Sequence, residues 1–145
     1  MIALLQRVTA ARVDIDGATV GEIGAGLMVL TAVHRDDGDR DIGRLAERIC
    51  TYRVFPDDEG RMNRSLEDIG GGLLLIPQFT LAADTKKGTR ASFTKAATPE
   101  KGAEYFDLLV EACRKRFETV ETGHFGANMQ VSLTNDGPVT FWLES

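Results

Sequence analysis

The sequence predicts one α+β domain, residues 1–145, in which a mixed or antiparallel β-sheet, open or barrel-like, packs against two main helices. Three observations lead to this fold class. Several segments alternate apolar and polar residues, as half-buried strands do. Two longer segments repeat apolar residues every three or four positions, as helices do. The two kinds of segment do not alternate along the chain, which argues against a parallel sheet built from βαβ units.

The beginning of the chain predicts three strands. Residues 2–15 alternate apolar and polar side chains, and the Asp16-Gly17 pair that follows is typical of a hairpin turn. A second strand continues through Val20 and Ile23. Residues 27–33 are apolar almost throughout, which is expected of a strand that is covered on both faces.

The middle of the chain predicts one helix and two strands. An acidic stretch, residues 36–39, precedes a helix that ends near Tyr52 and repeats apolar residues at helical spacing, namely Ile42, Leu45, Ala46 and Ile49. Residues 54–55 predict a short strand and residues 73–76 a buried one. The polar, basic segment 82–97 has no clear period, and a loop of that length inside a domain is usually functional or disordered.

The last third of the chain predicts a second helix and two strands. Thr98 can cap this helix and Pro99 suits its first turn, after which an apolar stripe follows: Phe106, Leu109, Val110, Cys113 and Phe117. Alternation then returns in two strands, around residues 129–133 and 139–143. The sequence Asn-Asp-Gly-Pro at 135–138 is expected to separate them.

Charge, hydropathy and cysteine count argue against several classes of protein. The net charge of −5, from 17 basic and 22 acidic residues, gives no overall basic field for binding DNA. No apolar run approaches the roughly 20 residues of a membrane span, and the start of the chain does not resemble a secretory signal, so the expected location is the cytoplasm. Cys50 and Cys113 are expected to be buried thiols. With His34 and His124 as the two histidines, the sequence indicates neither a metal nor another cofactor.

Four segments carry residue types suited to binding or catalysis. Pro-Gln-Phe-Thr-Leu at 77–81 places an amide, a ring and a hydroxyl at the end of a buried strand. Four positive charges within 86–95 are enough to bind two or three phosphates, and Gly137-Pro138 is a rigid dipeptide with exposed carbonyls. Taken alone, these three segments can also be an ordinary strand end, a solvated loop and a turn. Met-Asn-Arg-Ser at 62–65 says little by itself.

Together these segments resemble the D-aminoacyl-tRNA deacylases, enzymes that remove D-amino acids wrongly esterified to tRNA. The similarity covers almost the whole chain, from residues 1–8, which end in Gln-Arg-Val, through Gln-Phe-Thr-Leu at 78–81, to Asn-Asp-Gly-Pro-Val-Thr-Phe at 135–141. The last two motifs are specific as a pair. The chain has no Gly-x-Ser-x-Gly elbow, so a serine-hydrolase site is not indicated.

The resemblance implies a homodimer with its active sites at the interface and with no cofactor. In the family, the segment that matches Gln78, Phe79 and Thr80 lines a pocket for the 3′-terminal adenosine and the aminoacyl group. The family's Gly-Pro pair, here Gly137 and Pro138, is in cis and enters the partner's pocket as a chiral filter. The residues Val-Thr-Phe after this pair also resemble the D-specific enzymes, so the cis form is expected here.

Further site residues carry over from matching segments. Arg7 would hold the filter, and Phe125 and Met129 would complete the pocket. The phosphates of the acceptor stem would be bound by cations of the basic segment, namely Lys86, Lys87 and Arg90. The expected partner is therefore the tRNA acceptor end that carries a D-amino acid or glycine, and neither DNA nor a membrane is expected.

Thr80 allows two interpretations. A threonine attacks as a nucleophile only beside a base, and the sequence places none near it. We therefore expect direct attack by water on the ester, with Thr80 as an orienting residue and the substrate 2′-hydroxyl as a helper. Backbone N–H groups near Phe79 would stabilise the oxyanion. A filter made of main chain rejects L side chains by steric clash, so glycine should be cleaved as well.

Two departures from the family pattern leave other functions open. Pro77 stands where the family usually has Ser, and Ala91 stands where it commonly has Pro. A related animal class has Pro-Gln at the first position, holds its Gly-Pro pair in trans and discriminates less strictly between L and D. One alternative is therefore a deacylase of relaxed chirality that also acts on L-alanyl-tRNA. The other is a non-catalytic, dimeric RNA-binding module that shields the aminoacyl end.

Overall fold

In the computed structural model, which describes residues 1–145, one long strand organises the sheet. This strand, β1 (Ile2–Ile15), pairs antiparallel along one edge with β2 (Ala18–Ile23) and β3 (Gly26–Ala32), which divide that edge between them. Its other edge pairs antiparallel with β8 (Gln130–Glu144). Both residues of the turn between β1 and β2 have positive φ, which confirms the predicted hairpin.

Two parallel strands extend the sheet beyond β3. β6 (Gly72–Pro77) pairs with β3, and β7 (Val120–Thr122) pairs with β6. The sheet is curved, so that its two ends approach each other. This is seen at Gly21 of β2, where a Cβ would lie 3.0 Å from the Thr122 carbonyl oxygen of β7. The sheet is therefore mixed and nearly closed, which confirms the predicted fold class in its barrel-like form. A 3₁₀ turn, Phe79–Ala82, follows β6.

Two main helices cover the sheet, and a third helix is a single turn. α1 (Asp39–Thr51) and α3 (Pro99–Arg114) pack against each other, and α2 (Leu66–Ile69) is the short one. Cys50 and Cys113 are fully buried between α1 and α3, as predicted, and hydrogen bonding to the Cys50 thiol together with burial raises the pKa of Cys113. No helix is both long and apolar enough to cross a membrane.

Both main helices begin where the sequence predicts. At the start of α1, the Gly38 N–H donates to the Asp41 carboxylate at 2.9 Å. At the start of α3, the Thr98 hydroxyl accepts from the Lys101 N–H at 3.3 Å, and Pro99 occupies the first helical position, where its missing N–H costs nothing. The small hairpin of β4 (Phe55–Pro56) and β5 (Met62–Arg64) lies outside the main sheet.

The C-terminal strands differ from the prediction. Residues 130–144 form one continuous strand rather than two, because β1 offers an uninterrupted edge to both halves. The register shifts twice opposite residues 6–10, which accommodates residues 135–138 as an irregularity inside β8. The sequence also did not predict α2, β5 (Met62–Arg64) and β7, which are too short to show a recognisable period.

Candidate active site

A largely apolar cavity of about 280 Å³ opens where β3 and β6 end. Its walls come from these strand ends, from the turn after β6, from the start and the first half of α3 and from the loop before β8. Three aromatic rings contribute to it, those of Phe79, Phe106 and Phe125, and none of the twelve lining residues has an ionisable side chain. The cavity therefore suits an uncharged, partly aromatic group and offers no side chain for proton transfer.

The predicted Gln-Phe-Thr segment, residues 78–80, contributes Phe79 to the wall of this cavity. The Gln78 N–H donates to the Thr31 carbonyl oxygen at 2.7 Å, which fixes the start of the segment to β3. The Gln78 side-chain amide donates to the Thr80 hydroxyl at 2.5 Å. The N–H groups of Phe79 and Thr80 precede the first hydrogen bond of the 3₁₀ turn and so have no partner within it. The segment presents a ring, a hydroxyl and two backbone donors.

Pro77 fits its strand position without the loss of a ladder hydrogen bond. Successive N–H groups of a strand point to opposite neighbours. The Gln78 N–H points to β3, whereas the Leu73 N–H points to the β7 side and donates to the Thr119 carbonyl oxygen at 3.0 Å. Position 77 therefore faces the β7 side, and β7 pairs only with residues 73–75. Pro77 lies beyond the last residue of β6 that pairs with β7, so the fold tolerates proline where the family usually has Ser.

The two residues predicted from the segment before β8 lie in different places. Phe125 lines the cavity and packs on α3, where a Cβ on Gly102 would lie 3.0 Å from its ring. Met129 does not line the cavity. It lies against Gly123, where a Cβ would be 2.7 Å from its sulfur, and it packs on a core cluster formed by residues of β1, β2, β3 and β6.

Gly137 and Pro138, here called the Gly-Pro corner, are exposed and are joined by a cis peptide bond. The Arg7 side chain reaches the corner from β1. Its Nε donates to the Asp136 carbonyl oxygen at 3.1 Å and its Nη1 to the Val54 carbonyl oxygen at 2.7 Å. The same guanidinium pairs with the Asp136 carboxylate at 3.2 Å. Arg7 therefore ties the corner to β1 and to the loop before β4.

The Gly-Pro corner does not line the cavity of its own chain. It lies opposite Arg7 of β1, which pairs with Leu27 of β3, and Leu27 in turn pairs with Leu73 of β6. The cavity lies at Pro77, four residues further along β6. With about 3.3 Å per residue and about 4.8 Å between strands, the path along the curved sheet from the corner to the cavity is on the order of 20 Å.

The three cations predicted to bind phosphate lie on an exposed loop. This basic loop, residues 86–95, follows the 3₁₀ turn and closes at its base, where the backbones of Asp84 and Ser92 exchange hydrogen bonds of 2.7 and 3.1 Å. Lys95 pairs with the Asp84 carboxylate at 3.9 Å. The cations without a carboxylate partner are Lys86, Lys87 and Arg90.

Carboxylates whose pKa values are shifted lie away from the cavity. Hydrogen bonds to backbone and side-chain donors hold the pKa values of Asp41, Asp57 and Asp68 below their usual range, and none of the three lines the cavity. The structure contains no group of three or more His, Cys, Asp or Glu side chains that could hold a metal ion. The chemistry that this site can perform rests on its backbone donors, a hydroxyl and an amide.

Sequence reasoning missed two residues beside the cavity. Glycine inside a helix costs about 1 kcal/mol relative to alanine, so Gly102 was a signal that another group approaches α3. That group is the Phe125 ring. Phe93 of the basic loop packs on Phe79, with ring centroids 5.1 Å apart. Nothing in the local pattern of a polar loop indicates this contact.

Comparison with known proteins identifies the family. The family model described as D-Tyr-tRNA(Tyr) deacylase matches residues 4–144. The D-aminoacyl-tRNA deacylase of Alkalilimnicola ehrlichii is 61% identical over 145 residues, which are 100% of this chain and 97% of that protein. The D-aminoacyl-tRNA deacylase of Methylococcus capsulatus is 62% identical over 99% of this chain and 94% of its own length. The D-aminoacyl-tRNA deacylase of Escherichia coli is 53% identical over 99% of each chain.

Two solved structures resemble this one along the whole chain. A structure described as "c-Myc DNA Unwinding Element Binding Protein" is 36% identical, has a TM-score of 0.95, and aligns with 100% of this chain and 99% of its own. A "probable eukaryotic D-amino acid tRNA deacylase" is 18% identical, has a TM-score of 0.87, aligns over 99% and 98% of the two chains, and shows the fold alone. From the family model and the bacterial relatives together, the chain belongs to the D-aminoacyl-tRNA deacylase family of hydrolases.

Proposed function

We propose that this protein hydrolyses the ester between a D-amino acid and tRNA, and the ester of glycine on a non-cognate tRNA, while it rejects L-aminoacyl-tRNA. One observation carries the proposal. A cavity without ionisable side chains lies beside the N–H groups of Phe79 and Thr80, which make no hydrogen bond within the 3₁₀ turn. The substrate is an activated ester, so stabilisation of the transition state by such donors is enough for useful rates. The proposed place of the reaction is the cytoplasm, where aminoacyl-tRNA is used.

Water attacks the ester directly in the proposed mechanism. The terminal adenosine and the aminoacyl group occupy the cavity beside Phe79 and Phe125. The developing oxyanion faces the N–H groups of Phe79 and Thr80, an effect typically worth about 3–4 kcal/mol per donor. The water oxygen bonds to the carbonyl carbon, and the bond from that carbon to the ribose oxygen breaks. The ribose oxygen leaves as a hydroxyl with the proton released by the water, and the 2′-hydroxyl of the substrate assists the transfer.

Thr80 orients the substrate or the water in this mechanism. The group that contacts its hydroxyl is the Gln78 amide, which does not take up a proton at neutral pH. Because no ionisable side chain lines the cavity, the hydroxyl lacks the base that a threonine nucleophile requires.

Replacement of Thr80 distinguishes an orienting residue from a nucleophile. We expect Thr80→Ala to lower the single-turnover rate on D-tyrosyl-tRNA by about tenfold or less, because the oxyanion donors belong to the backbone and survive the change. Thr80→Ser serves as the control that keeps the hydroxyl. If Thr80→Ala fell to the spontaneous rate of ester hydrolysis while Thr80→Ser stayed active, Thr80 would be the nucleophile.

The chiral filter is proposed to come from a partner subunit in a homodimer. The Gly-Pro corner is exposed, is held by Arg7, and lies far from the cavity of its own chain. A second copy of the chain is therefore the source from which a corner can reach the cavity. A rigid main-chain wall leaves no space for an L side chain, whereas a D side chain, or the hydrogen of glycine, points away from it.

The acceptor end of tRNA is the proposed partner, and neither DNA nor a membrane is. The basic loop presents Lys86, Lys87 and Arg90 next to the segment that forms the cavity mouth. Contacts with phosphates release counterions, so binding should weaken steeply as salt concentration rises. Replacement of all three cations with alanine should raise KM and flatten that salt dependence, whereas Arg44→Ala, an exposed cation on α1, should do neither.

Rates on D-alanyl-, L-alanyl- and glycyl-tRNA test the proposed specificity. We expect cleavage of the D-alanyl and glycyl esters and a rate on the L-alanyl ester lower by about a hundredfold or more, equivalent to about 2.7 kcal/mol of steric rejection. An intact glycyl ester would contradict the steric filter. Binding of all three substrates without hydrolysis would point to an RNA-binding module instead.

A deacylase of relaxed chirality is the second candidate, and Pro77 is the observation that favours it. Pro77 lines the cavity at the position where the related animal class also has proline. In that case the L-alanyl and D-alanyl esters would be hydrolysed at similar rates. Pro77→Ser would then restore discrimination, and the hydrogen bonds of β6 allow this change without a loss of pairing.

A further inference from the structure

Phe93 has an exposed aromatic ring, and the proposed mechanism assigns no role to it. Its side chain is 42% exposed although it lies in an otherwise polar loop. The ring lies 5.1 Å from the Phe79 ring, with the two planes tilted by 48°. Phe79 lines the cavity and Phe93 does not, so Phe93 stands just outside the cavity on its rim. A ligand that extends out of the cavity on this side meets Phe93 first.

Hydrogen bonds hold Phe93 in this position. The Asp84 and Ser92 backbones exchange two hydrogen bonds immediately before it, and the Phe93 carbonyl oxygen accepts from the Ala96 N–H at 3.0 Å. The Asp84 carboxylate also accepts from the Lys86 N–H at 3.0 Å. The ring is therefore presented by a closed loop, and little conformational entropy is lost when a ligand covers it.

The surface around Phe93 is positive in an otherwise acidic protein. Residues 84–95 contain four cations and one carboxylate, whereas the whole chain has a net charge of −5. An aromatic ring beside lysine and arginine side chains is the combination with which proteins bind single-stranded nucleic acid, because bases stack on the ring while the cations bind the backbone phosphates.

We propose that Phe93 is the stacking platform for the nucleotide that precedes the terminal adenosine at the single-stranded 3′ end of tRNA. The cations of the basic loop bind the phosphate of that nucleotide. This inference rests on the proposed function, since it requires the terminal adenosine to occupy the cavity. When the terminal adenosine occupies the cavity, the nucleotide that precedes it must lie at the rim of the cavity. Phe93 is at this rim, because its ring packs directly on the ring of Phe79. Phe93 is a binding residue for the substrate and takes no part in bond breaking.

Three small esters of D-tyrosine test the subsite. They are the ester of adenosine, the ester of cytidylyl-adenosine, and the ester of the same dinucleotide with an abasic residue in place of cytidine. For the unmodified protein we expect kcat/KM to be about fivefold or more higher with the dinucleotide than with its abasic form, the lower range for stacking of one base. Phe93→Leu should abolish this difference and leave kcat/KM on the adenosine ester nearly unchanged.

Matched variants separate stacking from packing. Phe93→Leu keeps an apolar contact with Phe79 but has no aromatic face, whereas Phe93→Tyr keeps the face and should retain the preference for the dinucleotide. Leu108→Ala, an apolar residue on α3 that is exposed to a similar degree (43%), should leave all three rates unchanged. An abasic ester that is cleaved as fast as the dinucleotide by the unmodified protein would overturn the proposal.

Two further measurements separate a nucleotide subsite from a dimer contact and from a failure of the proposed function. Sedimentation of Phe93→Leu shows whether Phe93 is instead covered by a second copy of the chain. If the variant lost its dimer but kept the preference for the dinucleotide, the nucleotide subsite would be contradicted.

Binding of uncharged cytidylyl-adenosine, measured by calorimetry, tests the subsite without hydrolysis. If the unmodified protein cleaved no ester but bound this dinucleotide in a way that depends on Phe93, the proposed function would fail and the subsite would stand. If binding did not depend on Phe93, the subsite would fail as well.

Discussion

Arg7 joins three parts of the chain through one side chain. Its side chain is 12% exposed and its guanidinium donates to the backbone carbonyls of Asp136 and Val54, so it links β1, the Gly-Pro corner and the loop before β4. A hydrogen bond from a charged donor contributes about 1.5–3 kcal/mol, more than a neutral one. The position of the corner therefore depends on one side chain more than on the general packing of the sheet.

Removal of the Arg7 side chain should affect both stability and stereochemical discrimination. We expect Arg7→Ala to lower the free energy of unfolding by about 2–3 kcal/mol, because two carbonyl oxygens lose their donor. The ratio of D-alanyl-tRNA to L-alanyl-tRNA hydrolysis should fall at the same time. Arg12→Ala, on the same strand, removes an exposed pair with Asp14 and should change stability by less than about 0.5 kcal/mol. An unchanged D/L ratio in Arg7→Ala would show that Arg7 does not position the filter.

At the residue scale, what the sequence predicts depends on how local the signal is. Gln78, Phe79 and Thr80 follow a recognisable buried strand, and the structure places Phe79 in the cavity wall with Gln78 and Thr80 beside it in the chain. Phe93 is 14 residues from Phe79, and their contact depends on how the basic loop closes at Asp84. Such a contact leaves no period or spacing in the sequence.

At the element scale, length decides what could be predicted. The long strand β1 and both main helices show clear periods, β3 shows an unbroken apolar run, and the bounds of these four elements agree closely with the predictions. The short α2 and β7 do not, because three or four residues complete no period. The continuity of β8 could not be predicted either, since the Gly-Pro corner is a turn signal that pairing with β1 overrides.

Two glycines inside helices give a matched experiment on the link between α3 and the site. A Cβ on Gly43 of α1 would meet nothing within 4 Å, whereas a Cβ on Gly102 of α3 would lie 3.0 Å from the Phe125 ring. Gly43→Ala should raise the free energy of unfolding by about 1 kcal/mol and leave KM unchanged. Gly102→Ala should gain less stability, because Phe125 must move, and should raise KM for D-aminoacyl-tRNA.

Thermal melts and initial rates of the two variants check this prediction. If Gly102→Ala were stabilised as much as Gly43→Ala and kept its KM, the Phe125 ring would be free to move away at no cost. The first turn of α3 would then not control the shape of the cavity.

At the scale of the whole molecule, the two ends of the chain meet in one polar cluster. The Met1 ammonium donates to Asp37 and to the Ser145 hydroxyl, at 2.7 Å each, and that hydroxyl donates to Asp41 at 2.8 Å. Hydrogen bonds from the Gly38 N–H and then from Ser145 hold the pKa of Asp41 below its usual value of 3.8. The ionised form of Asp41 is therefore favoured in the folded protein.

The lowered pKa of Asp41 predicts the direction of a pH effect. Its stabilising contribution is present above the unfolded pKa, near 3.8, and is lost as pH falls through the lower folded pKa. Asp41→Asn should therefore be less stable than the unmodified protein at pH 7, and the difference should shrink below about pH 4. Asp36→Asn, which removes a carboxylate that is 87% exposed, serves as the control for the loss of one negative charge. Urea titrations from pH 7 to pH 3 measure both, and a constant difference for Asp41→Asn would rule out this linkage.

Mixing of two variants tests whether the Gly-Pro corner acts on the cavity of another copy. In the wall variant, Gln78→Ala with Phe79→Ala, the cavity is damaged and the corner is intact. In the corner variant, Gly137→Ala, the cavity is intact, but the new Cβ would lie 2.7 Å from Val139 at a φ of +131°, which L residues rarely adopt. We expect the corner variant alone to cleave both D-alanyl- and L-alanyl-tRNA and the wall variant alone to cleave neither.

Excess wall variant should restore discrimination to the corner variant. Under exchange of subunits, each intact cavity then pairs with a chain that carries an intact corner, so L-alanyl-tRNA hydrolysis falls while D-alanyl-tRNA hydrolysis persists. A filter that acts within its own chain makes the opposite prediction, since the damaged corner stays with its own cavity in every mixture. In that case the ratio of the two rates would not depend on how much wall variant is added. The ratio of the L-alanyl-tRNA and D-alanyl-tRNA rates in the mixture therefore distinguishes a filter that acts on the partner's cavity from one that acts on its own, whatever the absolute activity of either variant.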